Sequence, residues 1–311
     1  MRTRTTVAAV SGALALAALV VPAAHAADGP SLGKDDIARA TQAVKQAAHT
    51  KSAFTSATAD AGTPYAINLT FSGVKINGGK PIVAGVANKV SVPVTYTVTH
   101  DAGFDVNDPA VWLDVEIYRG SYDEPDNLLF GDDWPTCTDT SSTTASCKGT
   151  IDVYPDIDLV GNADATTWKA DGYAIDWNDQ DPTSDDIDYS KVGFASQDNL
   201  GTTKLQRYSK LTVNASPEPV YKGKTITVTG KLSRANWDDF KYHGYTNQAV
   251  KLQFRKAGTS TYTTLKTITS DSTGNLKTTT KATVDGYFRY SFAGTSTTPA
   301  VNAAGDYVDV K

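Results

Sequence analysis

The chain has 311 residues, a formal net charge of −5, two cysteines and four histidines. That length holds two domains once an export signal is removed. The ten-position gap between the cysteines excludes the Cys-x-x-Cys spacing of a redox pair, and neither a Gly-x-Ser-x-Gly elbow nor a His-Glu-x-x-His helix occurs.

Met1-Arg2-Thr3-Arg4, an apolar run from Val7 to Val21 and Ala24-His25-Ala26 make a secretory signal peptide over 1–26, too short for a stable membrane span. No cysteine follows the cleavage site and no apolar tail closes the chain, so the expected location is extracellular, by release into the medium. A leader over 27–62 follows. Within it, Ile37, Ala40, Val44, Ala47 and Ala48 recur at helical spacing from Lys34 to Thr50, with Ser31 or Asp35 as cap. That stripe is mostly alanine and buries little, so the leader reads as a marginal helix or a mobile segment.

From Thr63 the period changes to two, and residues 63–203 read as an acidic β-sandwich domain. Ile67, Leu69 and Phe71 form one strand, Val90 to Val98 a second and Val111 to Ile117 a third. Weaker runs follow at 150–154, 173–177 and 192–194. Pro93 on the outward face of its strand asks for an edge or a bulge. In an exported chain Cys137 and Cys147 read as a disulfide on a hairpin or Ser/Thr-rich loop, worth roughly 2.5–3 kcal/mol by loop closure.

Residues 204–311 alternate most clearly. Ile226, Val228 and Leu232 oppose Thr225, Thr227, Thr229 and Lys231, and Val250, Leu252 and Phe254 alternate with Lys251, Gln253 and Arg255. Leu276, Phe288, Tyr290, Phe292, Val308 and Val310 continue the pattern, while Leu265 and Ile268 break it and predict a bulge or a sheet switch. Turn chemistry at Lys222-Gly223, Asp271 to Asn275 and Asp285-Gly286 separates the strands. The fold class is therefore all-β: two tandem antiparallel sandwiches after a signal peptide and a short Ala-rich helix.

The order "NASP", "KGKTITVTGKL", "QAVKLQFRKAG", "YTTLKTITSDSTGNLKTTT", "GYFRYSFAGT", "DYVDVK" resembles the immunoglobulin-like domains of secreted actinobacterial proteins. That resemblance implies the fold and leaves the role open, since such domains serve as spacers, stalks and ligand-binding modules. The antibody-type Cys-Trp-Cys core is absent from this segment. The whole mature chain is similar to a group of secreted actinobacterial two-domain proteins, some labelled calcium-binding.

Charge is divided unevenly. Residues 101–190 hold 22 Asp and Glu against 3 Lys and Arg, whereas 204–311 hold 16 basic and 7 acidic residues. The densest acidic stretch supplies Asp176, Asn178, Asp179, Asp181, Asp185, Asp186 and Asp188. Oxygen-rich side chains at this density suit calcium, yet the EF-hand positions are not met: Asp181 stands where glycine is needed and Ile187 where glutamate is. A solvated loop is the simpler reading; a calcium site is the alternative, and no other cofactor is implied. A looser acidic group comprises Asp123, Glu124, Asp126, Asp132 and Asp133.

No catalytic residue is assigned. His100 beside Asp101 reads as a surface turn, and no pair of carboxylates is singled out for glycoside hydrolysis. Trp134 and Trp177 adjoin loop acids; core packing is the simpler reading for each ring, with sugar stacking as the alternative. Lysines on the outward faces of several strands argue against a nucleic-acid stripe. The leading expectation is a non-catalytic extracellular binding, adhesion or structural protein, with cell-wall or extracellular polysaccharide or protein as partner. A calcium-binding version comes second and a secreted hydrolase third.

Overall fold

The computed structural model describes residues 33–49, 62–157 and 160–311. The signal peptide expected over 1–26 and the proposed cap Ser31 lie outside them. Among the described residues there are one helix, α1 (Lys34–His49), and twenty strands, and 34–311 form one compact unit.

The first sandwich uses β1 (Tyr65–Ala66), β2 (Leu69–Ile76), β3 (Ile82–Ala84), β4 (Val90–His100), β5 (Val111–Gly120), β6 (Pro125–Leu129), β7 (Thr136–Ser141), β8 (Thr144–Val153), β9 (Thr167–Asp176) and β10 (Gly193–Arg207). One sheet runs β2-β4-β8-β7 and the other β10-β9-β5-β6, with β1 and β3 added in parallel along β10. In chain order this is the strand arrangement of an immunoglobulin-like sandwich. The core lies between the sheets and includes Phe71, Val94, Val98, Val115, Ile117, Ile151 and Trp168.

The weak runs of the sequence become long strands. In β9 the polar Asp171 and the small Gly172 hide the alternation, and β10 is interrupted by a register shift between Gln197 and Gly201, where Asn199 and Gly201 take positive φ. Pro93 sits in a strand with neighbours on both sides, but pairing to β2 stops at Val94, so Pro93 itself is opposed only by Thr150 of β8. Its missing N–H therefore disturbs no ladder beyond that point. Cys137 and Cys147 face each other across β7 and β8 and form the disulfide.

The second sandwich comprises β11 (Ser209–Leu211), β12 (Asn214–Ser216), β13 (Thr225–Asn236), β14 (Lys241–Gly244), β15 (Ala249–Lys256), β16 (Thr263–Thr269), β17 (Asn275–Lys281), β18 (Gly286–Phe292), β19 (Val301–Asn302) and β20 (Asp306–Val308). β13 is flanked by β11, β12, β14 and β17; the facing sheet orders β16-β15-β18 with β19 and β20. Ile226, Val228, Leu232, Val250, Leu252, Leu276, Phe288, Tyr290 and Phe292 are buried between them, each large apolar side chain contributing about 1.5–3 kcal/mol. The core position at 230 is glycine because the Tyr290 ring fills its place: a Cβ there would lie 2.8 Å from that ring and 2.2 Å from the Thr212 carbonyl. The Tyr290 hydroxyl donates to the Val228 carbonyl at 2.8 Å. The expected irregularity near Leu265 is a bulge, since Leu252 pairs with Lys266 and Gln253 with Thr264, leaving Leu265 unpaired and half-exposed.

β10 ends at Arg207 and β11 begins at Ser209, so a single residue, Tyr208, joins the sandwiches. The β13–β14 hairpin reaches back across the junction. Trp237 at its tip is fully buried in the core of the first sandwich and donates from Nε1 to the Gly85 carbonyl at 2.7 Å. Asn162 knits the other side: its backbone N–H donates to Asp238 at 2.8 Å, its Nδ2 donates to Asn236 and Asp238, and its Oδ1 accepts from Arg207 and from the Trp237 N–H. Trp237 and Asn162 make direct contacts across this junction, alongside Gln206, whose Nε2 donates to the Thr295 and Ser296 carbonyls.

Candidate functional site

β5 alternates Trp112-Leu113-Asp114-Val115-Glu116-Ile117, which sends Leu113, Val115 and Ile117 into the core and leaves Trp112, Asp114 and Glu116 on the outer face. β9 likewise keeps Trp168, Ala170 and Ala174 inside and presents Asp171 and Tyr173 outside. The register sets Glu116 directly opposite Asp171. Two like charges so placed repel.

Helix α1 covers this face and resolves the conflict. Val44 is fully buried and Ala40 nearly so, while Lys45 extends into the sheet, its Nζ 2.8 Å from Glu116 Oε1 and 3.0 Å from Asp171 Oδ2. Lys45, Glu116 and Asp171 are 5%, 2% and 1% exposed, so the triad is dry. The Tyr122 and Tyr173 rings lie 5.1 and 5.8 Å from the ammonium. Burial alone would depress the Lys45 pKa, but Glu116 and then Asp171 outweigh it and hold the amine above its ordinary range. Burial first, then Glu116, pushes the Asp171 carboxyl well up, with Lys45 opposing. Burial likewise raises Asp114. What anchors the leader helix is therefore Val44 and Ala40 of the apolar stripe together with the buried Lys45, which the stripe alone did not reveal.

At the start of α1 a second network forms. Asp132 accepts from Lys34 at 2.7 Å and Lys89 at 2.6 Å, and from the Tyr154 hydroxyl; Lys34 Nζ also donates to the Phe130 carbonyl at 3.0 Å. Burial would raise this carboxyl, but the Lys34 and Lys89 ammonium groups and the Tyr154 hydroxyl prevail and hold it well below the usual carboxylate range. A carboxyl depressed in the folded state stabilises above its unfolded pKa, and that contribution is lost as pH falls below about 4. The melting temperature of the wild-type protein is expected to drop more steeply between about pH 4 and pH 2 than that of Asp132→Asn. Parallel curves for the two proteins would count against a native-state role for this cluster.

Beside it three indoles stack. Trp112 lies 5.2 Å from Trp134 and 5.1 Å, edge-on, from Trp177. Trp177 and Trp112 are 2% and 8% exposed, but Trp134 is 43% exposed. Trp177, expected as a candidate stacking ring next to loop acids, is a buried support; Trp134 is the ring that meets solvent.

The acidic loop is placed elsewhere, and its carboxylates turn to local partners. Asp176 accepts from the Asn178 N–H at 3.0 Å and from the Tyr65 hydroxyl at 2.8 Å; Asp181 accepts from the Thr183 N–H at 2.8 Å and its hydroxyl at 2.7 Å; Asp188 accepts from the Ser190 N–H at 3.1 Å. Asn178 Nδ2 donates to the Tyr65 hydroxyl and to the Lys191 carbonyl. Asp179, Asp181, Asp185 and Asp186 point to solvent. Among the described residues no three His, Cys, Asp or Glu side chains converge as a metal site. Asp176, Asn178 and Asp179 do share an open groove of about 420 Å³ with Asp105 and Asp108. His100 is buried and its Nδ1 pairs with the Asp101 backbone carbonyl at 2.9 Å, while the Asp101 carboxylate accepts from Asn68. No histidine–carboxylate dyad forms there.

No family model and no curated protein matches this chain. Among solved structures it is similar to the Yersinia pseudotuberculosis adhesin InvE, with 12% identity over 78% of this chain and 58% of that one at TM-score 0.22. The mouse nectin-like molecule 4 ectodomain gives 14% identity, 79% and 65% coverage and TM-score 0.21. The D00-D0 domain of intimin gives 14%, 77% and 98%, and TM-score 0.25. The chain spans under two thirds of the first two. These likenesses are loose, and the fold stands on the strand order itself.

Neither the triad nor the Asp132 network was legible from spacing. The triad's signal in the sequence is that Asp114 and Glu116 take alternate positions in the otherwise apolar run 111–118 and that Asp171 stands between Ala170 and Gly172.

Proposed function

We propose that this chain is a secreted, non-catalytic protein that binds or displays a partner at or outside the cell envelope. The observation that carries the proposal is the exposed Trp134 ring, packed on the buried Trp112, which Trp177 backs edge-on, beside the charged network of Asp132. An aromatic ring that loses little freedom on contact, with hydrogen-bonding groups at its rim, suits the apolar face of a sugar. The inter-strand disulfide fits an oxidising compartment. Among the described residues no helix is long and apolar enough to cross a membrane.

The test is co-sedimentation of the mature protein with insoluble cell-wall and polysaccharide fractions. Trp134→Ala is expected to weaken retention about tenfold or more, the scale of a tryptophan hot spot, while Trp134→Phe keeps most of it. Equal retention of wild type and Trp134→Ala would sink the assignment of this surface.

A second reading is favoured by the groove that Asp105, Asp108, Asp176, Asn178 and Asp179 share. Calcium bound there would draw on the same loop as Asp181, Asp185, Asp186 and Asp188. Millimolar calcium against chelator is then expected to raise the melting temperature, since a ligand that binds only the folded state stabilises it. An unchanged midpoint eliminates the reading.

A further inference from the structure

We propose that Lys45 and Asp171 join in an intramolecular isopeptide bond, with Glu116 as the proton-transfer group. This stands on the triad alone and does not depend on any ligand of the Trp134 surface.

The geometry is that of reactants held in contact. Lys45 Nζ lies 3.0 Å from Asp171 Oδ2, which holds it against the carboxyl group it would attack, and 2.8 Å from Glu116 Oε1. Asp171 Oδ1 is buried and has no hydrogen-bond partner, which leaves that carboxyl less satisfied than a plain ion pair requires. One ammonium faces two carboxyl groups in a site walled by Tyr122 and Tyr173, so the triad is neutral when Asp171 carries a proton. The direction of the Asp171 shift agrees.

The step balances without any other reactant. Glu116 takes one proton from the Lys45 ammonium, freeing the Nζ lone pair. Nζ attacks Cγ of the protonated Asp171 and an N–C bond forms. The tetrahedral carbon then expels the Asp171 hydroxyl, which leaves as water with a second proton from Nζ, relayed through Glu116. The products are a secondary amide, one water and a protonated Glu116, and charge is zero on both sides. Burial favours the neutral Asp171 acid as electrophile and keeps bulk water from competing, while Glu116 takes up the proton that its own charge holds on the Lys45 amine. Glu116 touches the reacting nitrogen and is the catalytic residue of this step. Register supplies the placement, because β5 and β9 set Glu116 opposite Asp171.

Intact-mass measurement of the denatured, disulfide-reduced chain decides the matter. The wild-type mass is expected to be one water below that calculated for its observed N-terminus. A tryptic map should contain a branched peptide joining the segments that carry Lys45 and Asp171. Lys45→Arg keeps charge and reach but replaces the amine with a weakly nucleophilic guanidinium, so it folds and shows the full calculated mass. Asp171→Ala and Glu116→Gln also show the full mass. A wild-type chain at full mass overturns the proposal and leaves an ordinary buried ion pair. A water loss that persists in Lys45→Arg or Asp171→Ala places the loss elsewhere and overturns it equally.

Discussion

Replacing Lys45 with alanine is expected to cost about 3–5 kcal/mol, the scale of stripping one partner from a buried charge network. The substitution leaves Glu116 and Asp171 face to face in a buried site, where Lys45 is the cation paired with both among the described residues. The helix should then lift from the sheet. Denaturant unfolding gives the magnitude, and hydrogen exchange of the α1 amides gives the location. Lys45→Met separates the charge from the packing of the stem, because methionine keeps most of the apolar length. A loss below about 1 kcal/mol, as for an exposed pair, would mean that the contact is solvated and that α1 is held by Val44 and Ala40 alone.

The second large effect is expected at Trp237. Truncation to alanine removes a fully buried ring from the core of a sandwich other than its own, and strands the Gly85 carbonyl that its Nε1 satisfied. Tryptophan-to-alanine changes in cores cost about 3–5 kcal/mol. Here the form of the loss matters as much as its size. With Trp237 in place the two sandwiches should melt together; without it the calorimetric trace should resolve into two transitions. Trp237→Phe, which keeps apolar volume but not the donor, should fall between. A single unshifted transition in Trp237→Ala would mean that the junction contributes nothing to cooperativity.

Much of the fold was legible because strands announce themselves locally. Ile226, Val228 and Leu232 alternate with polar neighbours, and the chain folds with them inside. The bulge at Leu265 appeared as a break in that alternation, and the disulfide followed from two cysteines in a chain whose first residues read as an export signal. The helix over 34–49 was legible from its spacing. Its docking was not, because an alanine stripe carries no address and Lys45 meets Glu116 and Asp171 across sequence separations of 71 and 126. Trp237 shows the same difficulty. Its sequence neighbourhood is basic and polar, and only the hairpin's reach across the junction brings it into the other core. Conversely, the acidic loop was the most conspicuous stretch of the sequence, and Asp176, Asp181 and Asp188 are occupied with nearby backbone while Asp179, Asp185 and Asp186 face solvent. A dense composition marks turns as readily as it marks a ligand.

The Lys45–Asp171 contact also redirects mechanical load. Lys45 precedes every strand of the first sandwich, and Asp171 lies on β9, next to the strand that leads into the second. With the amide formed, tension entering through α1 passes across the side chains to β9 and on through β10. The sheets in between stay slack, and a tug that would peel β2 from β4 in an unlinked chain is carried by a covalent strut instead.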